Sequence, residues 1–168
     1  KATGLKDFVI VFAAVDDGTR YAAELWDQVH GSDINDVIRM TGTIDDLPAA
    51  YAAATVMVSA AVQPEGLQRA LLEAQAMARP VIVSDLAAGP DVVLAQPTVG
   101  IDRITGIRFP AGDDSALAAA IIRLFAMPEA EQNAIGTRGR AWVSGHFNAK
   151  TSAELTLKLY ADVTMNQD

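Results

Sequence analysis

The order of apolar runs along this chain predicts an α/β protein with a Rossmann-like parallel sheet, flanking helices and a helical C-terminal tail. Three observations lead there. Short β-branched apolar runs alternate with longer amphipathic or alanine-rich stretches, the signature of strand–helix alternation. The strand runs are continuously apolar rather than alternating, as expected of a parallel sheet covered on both faces. After the last such run the strand signal stops and only helical signals follow.

The elements follow in order. Strands are expected at Phe8-Val9-Ile10-Val11-Phe12, Val37-Ile38-Arg39-Met40, Thr55-Val56-Met57-Val58, Pro80-Val81-Ile82-Val83 and Gly106-Ile107-Arg108-Phe109. Helical links are expected over Tyr21 to Val29, Leu47 to Ala54 and Leu67 to Ala78, with a weaker one around Val92 to Ala95. In the tail, Asp113 or Asp114 caps a helix beginning near Ser115, Pro128 opens a second near Glu129, and Thr151 to Val163 forms a third. No internal repeat, low-complexity linker or like-charge run marks a boundary, so residues 1–168 are expected to form one domain.

Composition narrows the partners. With 13 basic and 21 acidic residues the formal charge is −8, and no Lys/Arg cluster offers a nucleic-acid backbone its footprint. Cysteine is absent, which removes disulfides, thiolate nucleophiles and Cys-rich metal sites. No apolar run reaches the ~20 residues that span a bilayer, and a cytoplasmic location is expected, with membrane contact unreadable. His30 and His146 lack metal-ligand spacing and are expected at surfaces or helix ends; Trp26 and Trp142 are expected to pack. The turn Asp16-Asp17-Gly18 is expected to cap the helix that follows it rather than bind a cation, and it lacks the glycine pattern of a dinucleotide fold. Ser59 has no His partner that would make it a nucleophile, and Ser84-Asp85 ends a strand at the edge where ligands of such sheets sit.

The informative turn is Gln63-Pro64-Glu65-Gly66-Leu67-Gln68-Arg69-Ala70-Leu71-Leu72-Glu73. Pro64 disfavours helix at Gln63, so the helix is expected to start at or just after Gly66, with Glu65 in the loop above its N-terminus. On that helix Leu67, Leu71, Ala74 and Ala78 would form an apolar stripe, with Glu73 on its flank. The rise from Glu65 to Glu73 would be about 12 Å, enough to set two carboxylates at opposite ends of a sugar diphosphate. The plainer alternative has Glu65 favouring the helix dipole and Glu73 pairing with Arg69 at i,i+4. On spacing alone both stand.

The stretch from Pro64-Glu65-Gly66-Leu67 through Leu71-Leu72-Glu73-Ala74-Gln75-Ala76-Met77-Ala78-Arg79-Pro80-Val81-Ile82 resembles the two-glutamate signature of retaining glycosyltransferases of family 4, with the GT-B fold. Thr41-Gly42-Thr43-Ile44 through Ala54 upstream, and Phe109-Pro110-Ala111-Gly112-Asp113, Gly139-Arg140 and Phe147 downstream, extend the likeness. The resemblance implies a donor-binding domain: Glu65 as the catalytic-site residue on donor-sugar hydroxyls, Gly66, Leu67 and Gln68 along sugar and phosphate, Glu73 on the ribose, and Thr43 and Ile44 at the base. It implies hexosyl transfer with retention from a nucleoside-diphosphate sugar, in polysaccharide or glycolipid synthesis, with no metal and no cofactor. The alternative is a non-catalytic nucleotide-binding or regulatory module on the same kind of sheet.

Three positions depart from the family pattern. Gln68 replaces a frequent second glycine, Thr55 a frequent aspartate, and Ala87-Ala88-Gly89-Pro90-Asp91 only loosely matches the usual paired glycines. The resemblance also implies that the domain's first strand and helix, and an acceptor-binding N-terminal domain, lie outside residues 1–168. The sheet would then have a gap in its middle, and these residues alone would be catalytically silent.

Overall fold

The computed structural model describes residues 8–13, 18–32, 34–86 and 89–165. They form two compact units, residues 1–50 and 51–168, with the boundary inside a helix.

In the first unit, β1 (Ile10–Phe12) pairs in parallel with β2 (Ile38–Met40), Ile10 opposite Ile38 and Phe12 opposite Met40. Between them runs α1 (Arg20–His30), which buries Ala22 and Val29. Its N-cap is Thr19, whose hydroxyl accepts the Ala22 N–H at 3.1 Å, so the capping expected of the acidic turn falls to the threonine; Asp16 and Asp17 lie outside the described residues. The expected two-sided cover is not met at β1, where Val9, Ile10 and Val11 are exposed. A two-stranded sheet leaves each strand with one unpaired edge among the described residues. The unit ends within α2 (Leu47–Ala53), a helix entered through the Asp46 carboxylate, which accepts the Ala49 N–H.

The second unit is built on a three-stranded parallel sheet in the order β3 (Met57–Ser59), β4 (Val81–Ser84), β5 (Gly106–Phe109). Here the continuous apolar runs have the predicted meaning. Successive side chains of a strand point to opposite faces. Ile82 accordingly joins a core with Ile104, Ile107, Phe109, Leu124 and Ile135, while Val81 and Val83 join another with Leu71, Ala74, Val92 and Val93. All four residues of β4 are buried.

The first core is closed by α5 (Asp114–Phe125), capped by the carboxylate of Asp113, one of the two candidates the sequence offers, and by α6 (Glu129–His146), entered at Pro128. The second core is closed by α3 (Arg69–Ala76), α4 (Gly89–Val92) and Phe147, the residue that follows α6. The α4 turn precedes the expected Val92–Ala95 stretch, because Val92 and Val93 are drawn into the core. The tail ends in α7 (Ala149–Met165), none of whose residues is buried.

A left-handed turn ends α3. Ala78 adopts φ 55°, its N–H bonds to Gln75 O at 2.8 Å and the Arg79 N–H to Ala74 O at 2.9 Å, the paired bonds of a Schellman cap. Against that turn lies Gly136 of α6, where an added Cβ would sit 2.1 Å from the Ala78 carbonyl oxygen.

Gly136→Ala is therefore expected to destabilise the protein by about 1–3 kcal/mol, the usual cost of overpacking, outweighing the ~1 kcal/mol of helix propensity that alanine brings. Gly145→Ala on the same helix meets nothing within 4 Å and is expected to hold or raise stability. Urea midpoints of the two variants decide it; equal midpoints would show that α6 does not press on the Ala78 turn.

Candidate functional site

The carboxyl ends of β3 and β4 and the turn into α3 gather the polar side chains of the second unit. The helix starts later than the sequence suggests. Its first residue is Arg69 and its N-cap is Gln68, in extended conformation with φ −76° and ψ 95°. Gln68 is held out of the helix by its side chain: the Ser59 hydroxyl at the end of β3 donates to Gln68 Oε1 at 2.8 Å. Leu67, at 53% exposure, gains no burial that would favour one more turn, so it does not join Leu71 and Ala74 in the core stripe. Ala78, the other end of the expected stripe, belongs to the left-handed turn. The 12 Å helical rise from Glu65 to Glu73 falls with this correction, since Glu65, Gly66, Leu67 and Gln68 all precede the helix.

Glu65 and Gly66 are exposed in the loop, and Gln68 is half-buried. Glu73 sits on the flank of α3 with its side chain 36% exposed. Two groups reach it. Arg69 Nη2 lies 3.3 Å from Oε1 on a side chain that is 85% exposed, the i,i+4 pair of the plainer reading. The Tyr51 hydroxyl, 22 residues away on α2, donates to Oε2 at 3.1 Å. Magnitudes separate them: an exposed i,i+4 pair is worth about 0.3–0.5 kcal/mol, whereas a hydrogen bond to a charged group contributes about 1.5–3 kcal/mol. Tyr51 therefore sets the carboxylate's orientation.

The tyrosine ring packs with Met57, Leu72 and Phe147 against the core of Leu71, Ala74, Val81 and Val83. Burial first, then the hydrogen bond and negative charge of Glu73, push its phenol up from 10.0 to about 12. Beside Glu73 opens a groove of about 300 Å³ whose walls include Leu72, Ala76, Val143 and Phe147. Behind it, Gln75 is fully buried and donates to Leu71 O and Val92 O, and Trp142 Nε1 donates to the same Val92 oxygen. Both anchors keep α3 in place.

Of the other predicted residues, Thr43 and Ile44 belong to the first unit, in the segment that follows β2, with Thr43 exposed and Ile44 half-buried. Ser59 is engaged by Gln68 rather than free. Ser84 is buried, and its hydroxyl finds no hydrogen-bond partner among the described residues; the Asp85 carboxylate lies 3.8 Å from Arg108. Ala87 and Ala88 fall outside the described residues. His30 and His146 end α1 and α6, exposed, against Trp26 and Trp142 respectively, and the indole of Trp142 is bonded into the core. Among the described residues no group of three His, Asp or Glu side chains is placed to hold a metal ion, and no helix is long and apolar enough to cross a membrane. Tyr51 is the contributor that the sequence reading passed over. A tyrosine in an alanine-rich helix needs a partner for its hydroxyl, and that requirement was the available signal.

Tyrosine is neutral below its pKa, so a raised value means that the folded chain holds the proton more tightly. The stabilising contribution is present in full below pH 10.0 and is lost as the pH rises through about 12. Ultraviolet pH-jump titration of the folded protein is expected to show one tyrosinate forming near pH 12. That step should vanish in Tyr51→Phe and move part of the way down in Glu73→Gln. A Tyr51 step at its ordinary value would remove the Glu73 contact from solution.

The fold of this chain is shared by known proteins. The family model described as Glycosyl transferases group 1 matches residues 4–127. Among solved structures, sucrose-phosphate synthase from Thermosynechococcus elongatus superposes with TM-score 0.74 at 27% identity, over 94% of this chain and 38% of that one. HepE from Anabaena, solved in complex with UDP-glucose, gives 0.77 at 18% identity, over 91% of this chain and 41% of that one. The C-terminal domain of the group 1 glycosyl transferase LpcC from Francisella tularensis gives 0.64 at 21% identity, over 80% and 66%. The chain thus spans about two-fifths of the length of the first two. No curated protein matches it.

Proposed function

From a chain that belongs to the Glycosyl transferases group 1 family, we propose that it forms the donor-binding half of a retaining GT-B hexosyltransferase that works on a nucleoside-diphosphate sugar. The observation that carries this reading is Glu73: a half-buried carboxylate, oriented by a half-buried tyrosine, on the helix that follows the exposed Glu65-Gly66-Leu67 loop. An ionised carboxylate offers about four acceptor sites, more than Tyr51 and Arg69 occupy, and at the groove that Glu73 lines ribose hydroxyls supply further donors. HepE, solved with UDP-glucose, lends the ligand class.

In this reading Glu65 accepts hydrogen bonds from hydroxyls of the transferred hexose. The N–H groups of Gly66 and Leu67, with the Gln68 amide, line sugar and phosphate, and Glu73 takes the ribose. The bond from the anomeric carbon to the diphosphate breaks, and a bond from the same face to the acceptor hydroxyl forms. The hydroxyl's proton passes to the departing phosphate. Polysaccharide or glycolipid acceptors, bound by an N-terminal half on the cytoplasmic side, complete the proposal, and no cofactor enters it.

Calorimetric titration with UDP, GDP and ADP and their glucose conjugates tests the assignment. One nucleotide series is expected to bind at least tenfold more tightly, a difference of about 1.4 kcal/mol. Glu73→Ala should weaken nucleotide and sugar nucleotide alike, whereas Glu65→Ala should weaken only the sugar nucleotide. Equal affinity for every ligand in all three proteins would favour a regulatory module instead.

A further inference from the structure

The carboxylate of Glu73 has two oxygens and two neighbours of very different character. Arg69 approaches Oε1 from solvent on an 85% exposed side chain and is free to swing away. Tyr51 donates to Oε2, and its half-buried ring packs against the core of Leu71, Ala74, Val81 and Val83. A carboxylate that grips the two neighbouring hydroxyls of a ribose must present an acceptor site on each oxygen in one plane. Left to itself, a glutamate on an open helix flank samples many rotamers, and each one frozen on binding costs affinity.

We propose that Tyr51 is a positioning residue whose hydroxyl, by occupying one acceptor site on Glu73 Oε2, fixes the carboxylate so that its remaining sites face a vicinal diol, the 2′,3′-hydroxyl pair of a nucleotide. The inference rests on the reading of Glu73 as the ribose-binding group. Ionised carboxylates offer about four acceptor sites, so one tyrosine leaves enough for two hydroxyls. The tyrosine gives no charge and takes none, so Glu73 keeps the full negative charge that strengthens the bonds to a diol. Its hydroxyl stays protonated to about pH 12, and the contact therefore does not switch over the physiological range.

The test compares the tightest-binding of UDP, GDP and ADP with its 2′,3′-dideoxy analogue, in the unaltered protein and in Tyr51→Phe, Glu73→Gln and the double variant, by calorimetry. The unaltered protein is expected to prefer the ribonucleotide about tenfold, and Glu73→Gln to abolish that preference. Tyr51→Phe, which keeps the ring, should cut the preference about threefold or more while leaving the affinity for the dideoxy analogue unchanged. In the Glu73→Gln background, Tyr51→Phe should change nothing further. An equal loss for both ligands would make Tyr51 structural only, and an unchanged preference in Tyr51→Phe would show that Glu73 needs no such support; either overturns the inference while leaving Glu73 in its role. No preference in the unaltered protein, or no binding of any of the three nucleotides, overturns the ribose reading itself and the inference with it. Thermal unfolding of each variant, read in parallel, excludes loss of fold as the cause.

Discussion

The close crossing of α6 over the end of α3 is the constraint on which the site depends. Two helices ordinarily keep their axes 8–10 Å apart because side chains intervene. Here Gly136 and Gly139 remove that spacing: a Cβ at the first would strike the Ala78 carbonyl, and one at the second would meet Gln75 at 3.2 Å. The approach lets Gln75, fully buried, spend its amide on Leu71 O and Val92 O. With Leu71 and Ala74 in the core, only the flank of α3 bearing Glu73 is left to face outward. The carboxylate's position is thus a consequence of glycines more than sixty residues further along the chain.

The two glutamates of the motif end in opposite conditions. Glu73 lies on a clamped helix with a tyrosine on one oxygen; Glu65 lies in an exposed loop in front of it. A rigid carboxylate suits a part of the ligand that stays unchanged through a reaction, because preorganisation lowers the cost of binding. A carboxylate in an open loop suits the part that changes, since its contacts strengthen only where charge develops. That division matches the roles proposed for ribose and hexose.

Much of this was legible in the sequence, and what was not has a physical reason. Gly106–Phe109 came out residue for residue, and the cap fell on Asp113, one of the two carboxylates the sequence offered, because strand patterns and carboxylate caps are local and depend on few neighbours. The cover of β1 did not, because a continuous apolar run says that burial is wanted and not what supplies it. Nor did the start of α3. Pro64 and Gly66 are local signals for a helix beginning at Gly66, and they were overridden by a hydroxyl from β3, nine residues back from Gln68. The Tyr51 contact, across 22 residues, has no periodicity to betray it. Of the site, then, the flank position of Glu73 could be read in advance, whereas for the group that aims it the sequence signalled a tyrosine in need of a partner and not which partner.

Gln68 shows how one departure from a family pattern moves a functional feature. A glycine there would leave the Ser59 hydroxyl without its present acceptor and would place no side chain at the helix tip. With glutamine, Oε1 is tied to Ser59 and the backbone is held extended, so the first N–H groups without an intrahelical partner are those at Arg69 and Ala70, while the Leu71 N–H is already bonded to Gln68 O. The positive end of the helix dipole therefore lies about three residues further from Glu65 than the motif spacing suggests. The amide Nε2, free of the bond to Ser59, restores a neutral donor at the tip. Under the proposed donor reading, a diphosphate at this helix would meet the Gln68 amide together with the N–H groups of Gly66 and Leu67, where a second glycine would have offered backbone alone.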